Sequence, residues 1–315
     1  MNNLLLKPKR LSKGDKVALI SPASPATNPE KIIIASEYLT SKGFKVVYGS
    51  NLNKSHKYLA GTDLERSDDF NKAFSTPDIN AIFCLRGGYG SGRLLESIDY
   101  NTIKKYPKIF VGYSDITSLH LSLHRKCNMV TFSGPMPAVD FQSEIDPITE
   151  SYFWDLMLKK NFWKKQSFNN ERRLSFLVEG NAEGVMVGGN LTTLVSLIGT
   201  KYFPNLKNKI LFLEDIGEAP YRLDRMLNQL KLCGLLKKLS GIILGGFTDC
   251  VKPKSMNESF TVKEIFEHYF SELGIPVIVD FPHGHLKQMV TLAMGTAIRI
   301  SSKGNSFSYL EDPFE

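Results

Sequence analysis

Four short runs of nearly continuous apolar character, Lys16–Ile20, Phe44–Tyr48, Ala81–Leu85 and Lys108–Gly112, alternate with stretches of helical character. This alternation is the strongest constraint on the fold. The intervening helices are expected over about Pro29–Leu39 and Leu64–Phe74 and from about Gly92, with another over Ile116–Leu123. Strands apolar on both faces are covered on both faces, which makes them members of a parallel sheet built from βαβ units. Such units connect right-handed and gather ligand sites at the carboxyl ends of their strands. The expected class is α/β: a doubly wound parallel sheet of the flavodoxin or amidotransferase kind.

The pattern weakens around residues 145–178, where Trp154 and Trp163 stand in a mixed polar and basic stretch that reads as a connection between domains. A second block starts near Glu179. Gly188-Gly189-Asn190 precedes a helix with Leu191, Leu194, Val195 and Ile198 at helical spacing, then strand Ile210–Leu213. A helix with Leu223, Met226, Leu227 and Leu230 on one face comes next, and strands Gly241–Leu244 and Pro276–Val279 close the block. At 315 residues the chain is long enough for two domains. The expected division is 1–165 and 166–315.

Composition narrows the function classes. With 42% hydrophobic and 23% charged residues the chain is an ordinary globular one, not disordered, collagen-like or a coiled coil. No apolar run approaches the ~18 residues that span a bilayer. The basic start, Met1–Arg10, has too short an apolar stretch for a signal peptide, so a cytoplasmic protein without a membrane partner is expected. Cys84, Cys127, Cys233 and Cys250 lack CxxC spacing and read as reduced thiols. The net charge of +7 invites a nucleic-acid reading. Its basic clusters, Lys7, Lys9 and Arg10, and Lys159, Lys160, Lys164 and Lys165, are short and belong to no nucleic-acid module, so no nucleic-acid partner is expected.

The strongest chemical feature is Val111-Gly112-Tyr113-Ser114-Asp115-Ile116, where a buried strand runs straight into a helix with a serine at the junction. A hydroxyl there is held at the carboxyl edge of the sheet beside unpaired N–H groups suited to an oxyanion. The segment has the mechanics of a nucleophile elbow without the second glycine of GxSxG. The same serine also suits an ordinary helix cap. Ahead of it lies Arg86-Gly87-Gly88-Tyr89-Gly90-Ser91-Gly92-Arg93, whose glycines permit close approach of a substrate oxygen to the backbone. Arg93 breaks a GxGxxG reading, and no P-loop is present. Cys84 offers a distant amidotransferase-like alternative, set back within its strand.

A serine needs a base. His120 and His124 lie four apart, yet Leu121 stands where HExxH has glutamate, so they read as structural; His56 falls in a polar loop and His268 in an amphipathic helix. His283 and His285, in Asp280-Phe281-Pro282-His283-Gly284-His285, follow a buried strand, and one of them is the better base. Half a metal site is the alternative, but no ligands nearby complete it. The orienting carboxylate falls in Leu213-Glu214-Asp215-Ile216-Gly217-Glu218. Glu214 is nearest the strand end, while Asp215 and Glu218 equally suit helix capping.

These segments together resemble the LD-carboxypeptidase family of serine peptidases, the muramoyltetrapeptide carboxypeptidases. The matching pieces run from Gly14-Asp15-Lys16-Val17 and Ser21-Pro22, through Arg86–Gly90, Gly112-Tyr113-Ser114-Asp115 and Phe132–Met136, to Glu179-Gly180 and Gly188–Leu191. Leu213-Glu214-Asp215, Pro220-Tyr221-Arg222, Gly284-His285 and Thr291-Leu292 complete them. The resemblance implies a Ser-His-Glu triad of Ser114, His285 and Glu214, with an oxyanion hole of the Asp115 and Gly88 N–H groups. It implies a smaller, β-rich C-terminal domain carrying Glu214 and His285, a triad across the interdomain cleft, a homodimer, and neither metal nor other cofactor. The implied reaction releases the terminal D-alanine of murein tetrapeptide during cytoplasmic peptidoglycan recycling. Ala293, where the family commonly has proline, and Pro282-His283 depart from the pattern. A sister branch cleaves peptide-nucleotides of the microcin C type, and a non-catalytic muropeptide-binding protein is the rival from another class. The positive charge is expected to favour a carboxylate-rich substrate.

Overall fold

The computed structural model describes residues 4–142, 144–165 and 173–315. The chain divides into two compact units: Met1–Lys160 with Val290–Gly295 and Pro313–Glu315, and Asn161–Met289 with Thr296–Asp312. The expected division after residue 165 abuts residues 166–172, which lie outside the described residues.

In the first unit strands and helices alternate: β1 (Lys16–Ile20), α1 (Glu30–Ser41), β2 (Lys45–Tyr48), α2 (Asp63–Ser75) and β3 (Ile79–Cys84). Then come α3 (Tyr100–Lys105), β4 (Ile109–Gly112), α4 (Thr117–Cys127), β5 (Thr131–Ser133) and α5 (Pro147–Leu158). The strands lie in the order β2-β1-β3-β4-β5, all parallel, and the late segment Leu292–Met294 adds antiparallel to β5. Val17, Leu19, Ile82, Phe83, Phe110 and Val111 are wholly shielded from solvent, which explains why these strands read as apolar runs. Helix starts follow local chemistry. Thr62 and Glu65 form a capping box on α2, and the Asp99 carboxylate accepts the first N–H groups of α3.

Two expectations fail here. The stretch read as an interdomain connection contains α5, which starts on Pro147 with Asp146 as its cap and belongs to the first unit. Its Trp154 is buried, stacked on Phe44 at 5.2 Å, and donates its indole N–H to the Tyr38 hydroxyl at 2.7 Å. The polar neighbours that obscured it occupy its other face. The helix expected from about Gly92 is one 3-10 turn, Ser91–Leu94, because Ser91 is drawn into bonds with Asp115. Part of the basic start is also committed: Arg10 lies over the Phe314 ring and donates to the Leu156 carbonyl.

The second unit carries β6 (Ser175–Val178), β7 (Asn181–Asn190), α6 (Leu191–Ser196), β8 (Lys209–Ile216), α7 (Pro220–Leu232) and β9 (Gly241–Thr248). It continues with α8 (Val262–Phe270) and β10 (Val277–Val279); β11 is the Leu292–Met294 strand of the first unit, and β12 (Ala297–Ser301) and β13 (Ser306–Tyr309) follow. Its sheet runs β13-β12-β7-β8-β9-β10-β6. The central strands β7 to β10 are parallel, and the flanking strands are antiparallel. Strand β8 runs through Glu214 and Asp215, so both acids lie within the strand rather than after it. Among the described residues no helix is long and apolar enough to cross a membrane.

Candidate active site

In the first unit, β4 ends at Gly112 and Ser114 follows with φ of 64°, a left-handed conformation that costs a residue with a side chain ~1–2 kcal/mol. Such strain is kept where a side chain must be aimed, as at a nucleophile elbow. A short 3-10 turn, Ser114–Ile116, leads into α4. The residues flanking the two helix starts are Tyr113 and Ile116, and neither makes a side-chain cap bond.

The glycine loop after β3 folds against this turn. A β-carbon on Gly87 would lie 2.9 Å from the Ser114 Cβ and 3.2 Å from its Oγ, so only glycine lets the loop reach the serine. Asp115 anchors the loop. Its buried carboxylate accepts the Ser91 N–H at 2.8 Å, and its carbonyl accepts the Ser91 hydroxyl at 2.6 Å. Burial raises the Asp115 carboxyl above its usual range, an effect the Ser91 bonds oppose. From the far side Arg66, also buried, donates to the Gly90 carbonyl at 2.8 Å. One peptide group, Gly90–Ser91, is thus held at both its oxygen and its nitrogen. Among the described residues neither the Asp115 N–H nor the Gly88 N–H has a hydrogen-bond acceptor. Cys84 is the last residue of β3, not an internal one. It is fully buried, and burial pushes its thiol well above the usual range, which makes it a poor nucleophile.

In the second unit, His285 Nδ1 lies 2.7 Å from Glu214 Oε2. The glutamate is almost fully buried, and 16% of the imidazole surface remains open. With Nδ1–H donated to the carboxylate, Nε2 is left as the acceptor, the tautomer a general base requires. Burial raises the Glu214 carboxyl above its usual range, opposed by its bond to His285 and reinforced by the nearby Asp215 charge. Gly284, with φ of 117°, makes the pairing possible: a β-carbon there would sit 3.0 Å from both Glu214 Cβ and Oε2.

The other candidates have different employment. Asp215 accepts from the Asn190 amide at 2.9 Å and from the Thr192 N–H and hydroxyl at 3.0 and 2.8 Å, tying it to the start of α6. Glu218 accepts from Arg222 at 3.4 Å. His283 is buried edge-to-face against Phe212 at 5.1 Å. His120 is buried with Nε2 against the Gly112 carbonyl at 2.7 Å and Nδ1 against the Thr131 hydroxyl at 2.8 Å, and burial lowers it to about 4. His56 and His268 are exposed. Among the described residues no group of three or more His, Cys, Asp or Glu is placed to hold a metal ion.

Sequence reasoning missed the supports of the histidine loop. The Gly246 N–H donates to the His283 carbonyl at 2.9 Å, a side chain on Gly245 would strike that same carbonyl, and the Thr248 hydroxyl donates to the His285 carbonyl at 2.8 Å. The adjacent glycines Gly245 and Gly246, within β9, were the available signal. Ala293, one of the departures noted above, pairs with Phe132 across β11 and β5.

Comparison with known proteins extends this picture. Residues 17–134 match the LD-carboxypeptidase N-terminal domain and residues 183–300 the LD-carboxypeptidase C-terminal domain. The chain is 40% identical to a probable murein peptide carboxypeptidase of Bacillus subtilis, covering 93% of this chain and 91% of that one. It is 33% identical to the murein tetrapeptide carboxypeptidase of Pseudomonas aeruginosa, over 86% and 88% of the two chains. Among solved structures, MccF in complex with glutamyl sulfamoyl guanosine superimposes with a TM-score of 0.87 at 29% identity, covering 98% of this chain and all of that one. Both halves of the fold and nearly the whole length are accounted for, and the chain belongs to the LD-carboxypeptidase family.

Proposed function

We propose that the protein is a serine carboxypeptidase that releases the terminal D-alanine from murein tetrapeptide, cutting a bond between an L-centre and a D-residue, in cytoplasmic peptidoglycan recycling. The observation that carries the reading is Ser114, held in a left-handed turn beside the glycine loop, where no described residue accepts the Asp115 or Gly88 N–H. Ser114, His285 and Glu214 form the triad. His285 Nε2 takes the hydroxyl proton as Oγ attacks the carbonyl, and Glu214 stabilises the imidazolium. The Asp115 and Gly88 N–H groups receive the oxyanion. His285 then protonates the departing amine of D-alanine, leaving an ester on Ser114. Water, deprotonated by His285, hydrolyses that ester and restores the serine.

The substrate class follows the names of the relatives from Bacillus subtilis and Pseudomonas aeruginosa. The test is incubation with murein tetrapeptide, followed by mass for loss of one alanine. The parent should release D-alanine, and Ser114→Ala, folded as judged by its thermal transition, should not. Undiminished release by that variant would sink the triad. The likeness to MccF supports a second reading, hydrolysis of a peptide-nucleotide, so the same assay should include an aminoacyl sulfamoyl nucleoside. Binding of tetrapeptide without turnover would favour a muropeptide-binding protein instead.

A further inference from the structure

The first unit's sheet, in the order β2-β1-β3-β4-β5, reverses its winding between β1 and β3. In doubly wound sheets a crevice opens at that point, beyond the carboxyl ends of the two strands, and ligands occupy it. Here its walls are the turn after β1, Ser21–Pro25, and the glycine loop after β3. The walls are tied together: the Ser24 N–H donates to the Gly87 carbonyl at 3.3 Å, and the Ser24 hydroxyl accepts the Tyr89 N–H at 3.2 Å.

Arg86 stands in this crevice, half-buried. One guanidinium nitrogen donates to the Pro25 carbonyl at 3.3 Å. The group has five N–H donors, and among the described residues this is its one hydrogen bond, with no carboxylate in ion-pair range. The paired arginines set the contrast: Arg66 and Arg93 share Asp63, Arg222 meets Glu218, and Arg299 meets Glu183. A cation partly removed from water without a counter-ion is costly unless a ligand supplies one. Its second guanidinium nitrogen lies 3.6 Å from where a Gly88 β-carbon would be, on an exposed residue. The next residue, Gly87, packs on Ser114.

We propose that Arg86 is the subsite for the C-terminal α-carboxylate of the substrate, gripping it as a guanidinium–carboxylate fork one residue from the peptide that faces the nucleophile. This rests on the carboxypeptidase reading and makes it specific: an exopeptidase must sense a free carboxylate, and the planar fork of arginine matches one in two bonds. The crevice at β1 and β3 would then set where the chain end stops, and so which bond meets Ser114.

The test separates recognition from turnover. Equilibrium binding of tetrapeptide and of its C-terminal amide is measured on the Ser114→Ala protein, with and without Arg86→Gln or Arg86→Lys. Parent Arg86 should prefer the acid by on the order of 100-fold. Arg86→Gln should bring that preference to about one by weakening the acid alone, and Arg86→Lys should retain part of it. Equal loss of acid and amide would show that Arg86 only braces the loop, and an unchanged preference would place the carboxylate elsewhere; either result overturns the proposal. Release of D-alanine by the parent enzyme is scored separately, so a wrong reaction and a wrong subsite give different outcomes.

Discussion

Gly284→Ala isolates the contact on which the Glu214–His285 pair depends. Gly284 has φ of 117°, and an alanine β-carbon would lie 3.0 Å from Glu214 Oε2, the atom His285 holds at 2.7 Å. Two costs add. The left-handed backbone costs a non-glycine residue ~1–2 kcal/mol, and crowding a packed site costs ~1–3 kcal/mol, so a loss of roughly 2–5 kcal/mol is expected. The control is Gly234→Ala, just past the end of α7, where φ is 64° and nothing lies within 4 Å of the new carbon. That variant should show the backbone cost alone, ~1 kcal/mol, with parental activity. Differential scanning calorimetry should place Gly284→Ala several degrees below the control. Because the clash displaces the carboxylate bonded to His285, the proposed base, kcat on tetrapeptide should fall by on the order of 10-fold to 100-fold. If Gly284→Ala matches Gly234→Ala in Tm and retains the parent's kcat, the glycine is not making room for the pair, and the argument fails.

Two further outcomes follow from buried titratable groups. Glu214→Gln should lower kcat by roughly four orders of magnitude, the scale for losing the orienting charge in serine-protease triads, without lowering stability at pH 7. Burial has raised the Glu214 carboxyl, so folding takes up a proton and the ionised group costs stability as pH rises through that window; a marked fall in Tm for Glu214→Gln would contradict this. His120, lowered from 6.5 to about 4, gives the opposite slope. Between those values the unfolded chain holds a proton that the native state does not, so stability should fall by roughly 3 kcal/mol from pH 7 to pH 4. Urea unfolding of the parent and His120→Gln at both pH values checks this: the variant should start less stable and lose less on acidification.

The central strands of both sheets were legible because burial on both faces leaves a continuous apolar run, as in Ile82-Phe83 or Ile242-Ile243. Strand β7 was not, because Gly184, Gly188 and Gly189 interrupt its pattern. Yet these glycines are there because β8 approaches: a side chain on Gly188 would strike the Phe212 carbonyl. Strands β12 and β13 escaped notice for a different reason, since their alternation of buried and exposed residues over four or five positions is too short to stand out. At the site, the Ser114 turn was visible as a strand-to-helix junction, and the acid was narrowed to three neighbours. Choosing among Glu214, Asp215 and Glu218 needs the partners each one meets. Asp215 is spent on Asn190 and Thr192, a commitment between residues more than twenty apart that no local pattern reveals.

The same device serves both functional segments. Ser114 is crowded by a loop that reaches it only because residue 87 has no side chain, and Glu214 is met by a histidine loop that passes only because residue 284 has none. Each glycine lies immediately before a residue proposed for the chemistry: Gly88, whose N–H is proposed to receive the oxyanion, and His285, the proposed base. A glycine in this setting fixes a distance rather than providing freedom. The Gly90–Ser91 peptide is clamped by Arg66 and Asp115, and the His283–His285 loop by Gly246 and Thr248, so neither loop can drift into the space its glycine leaves. That combination of removed side chains and doubly bonded backbone is what preorganisation requires. It predicts that substitutions at these glycines will damage kcat more than the clamps' polar variants damage folding.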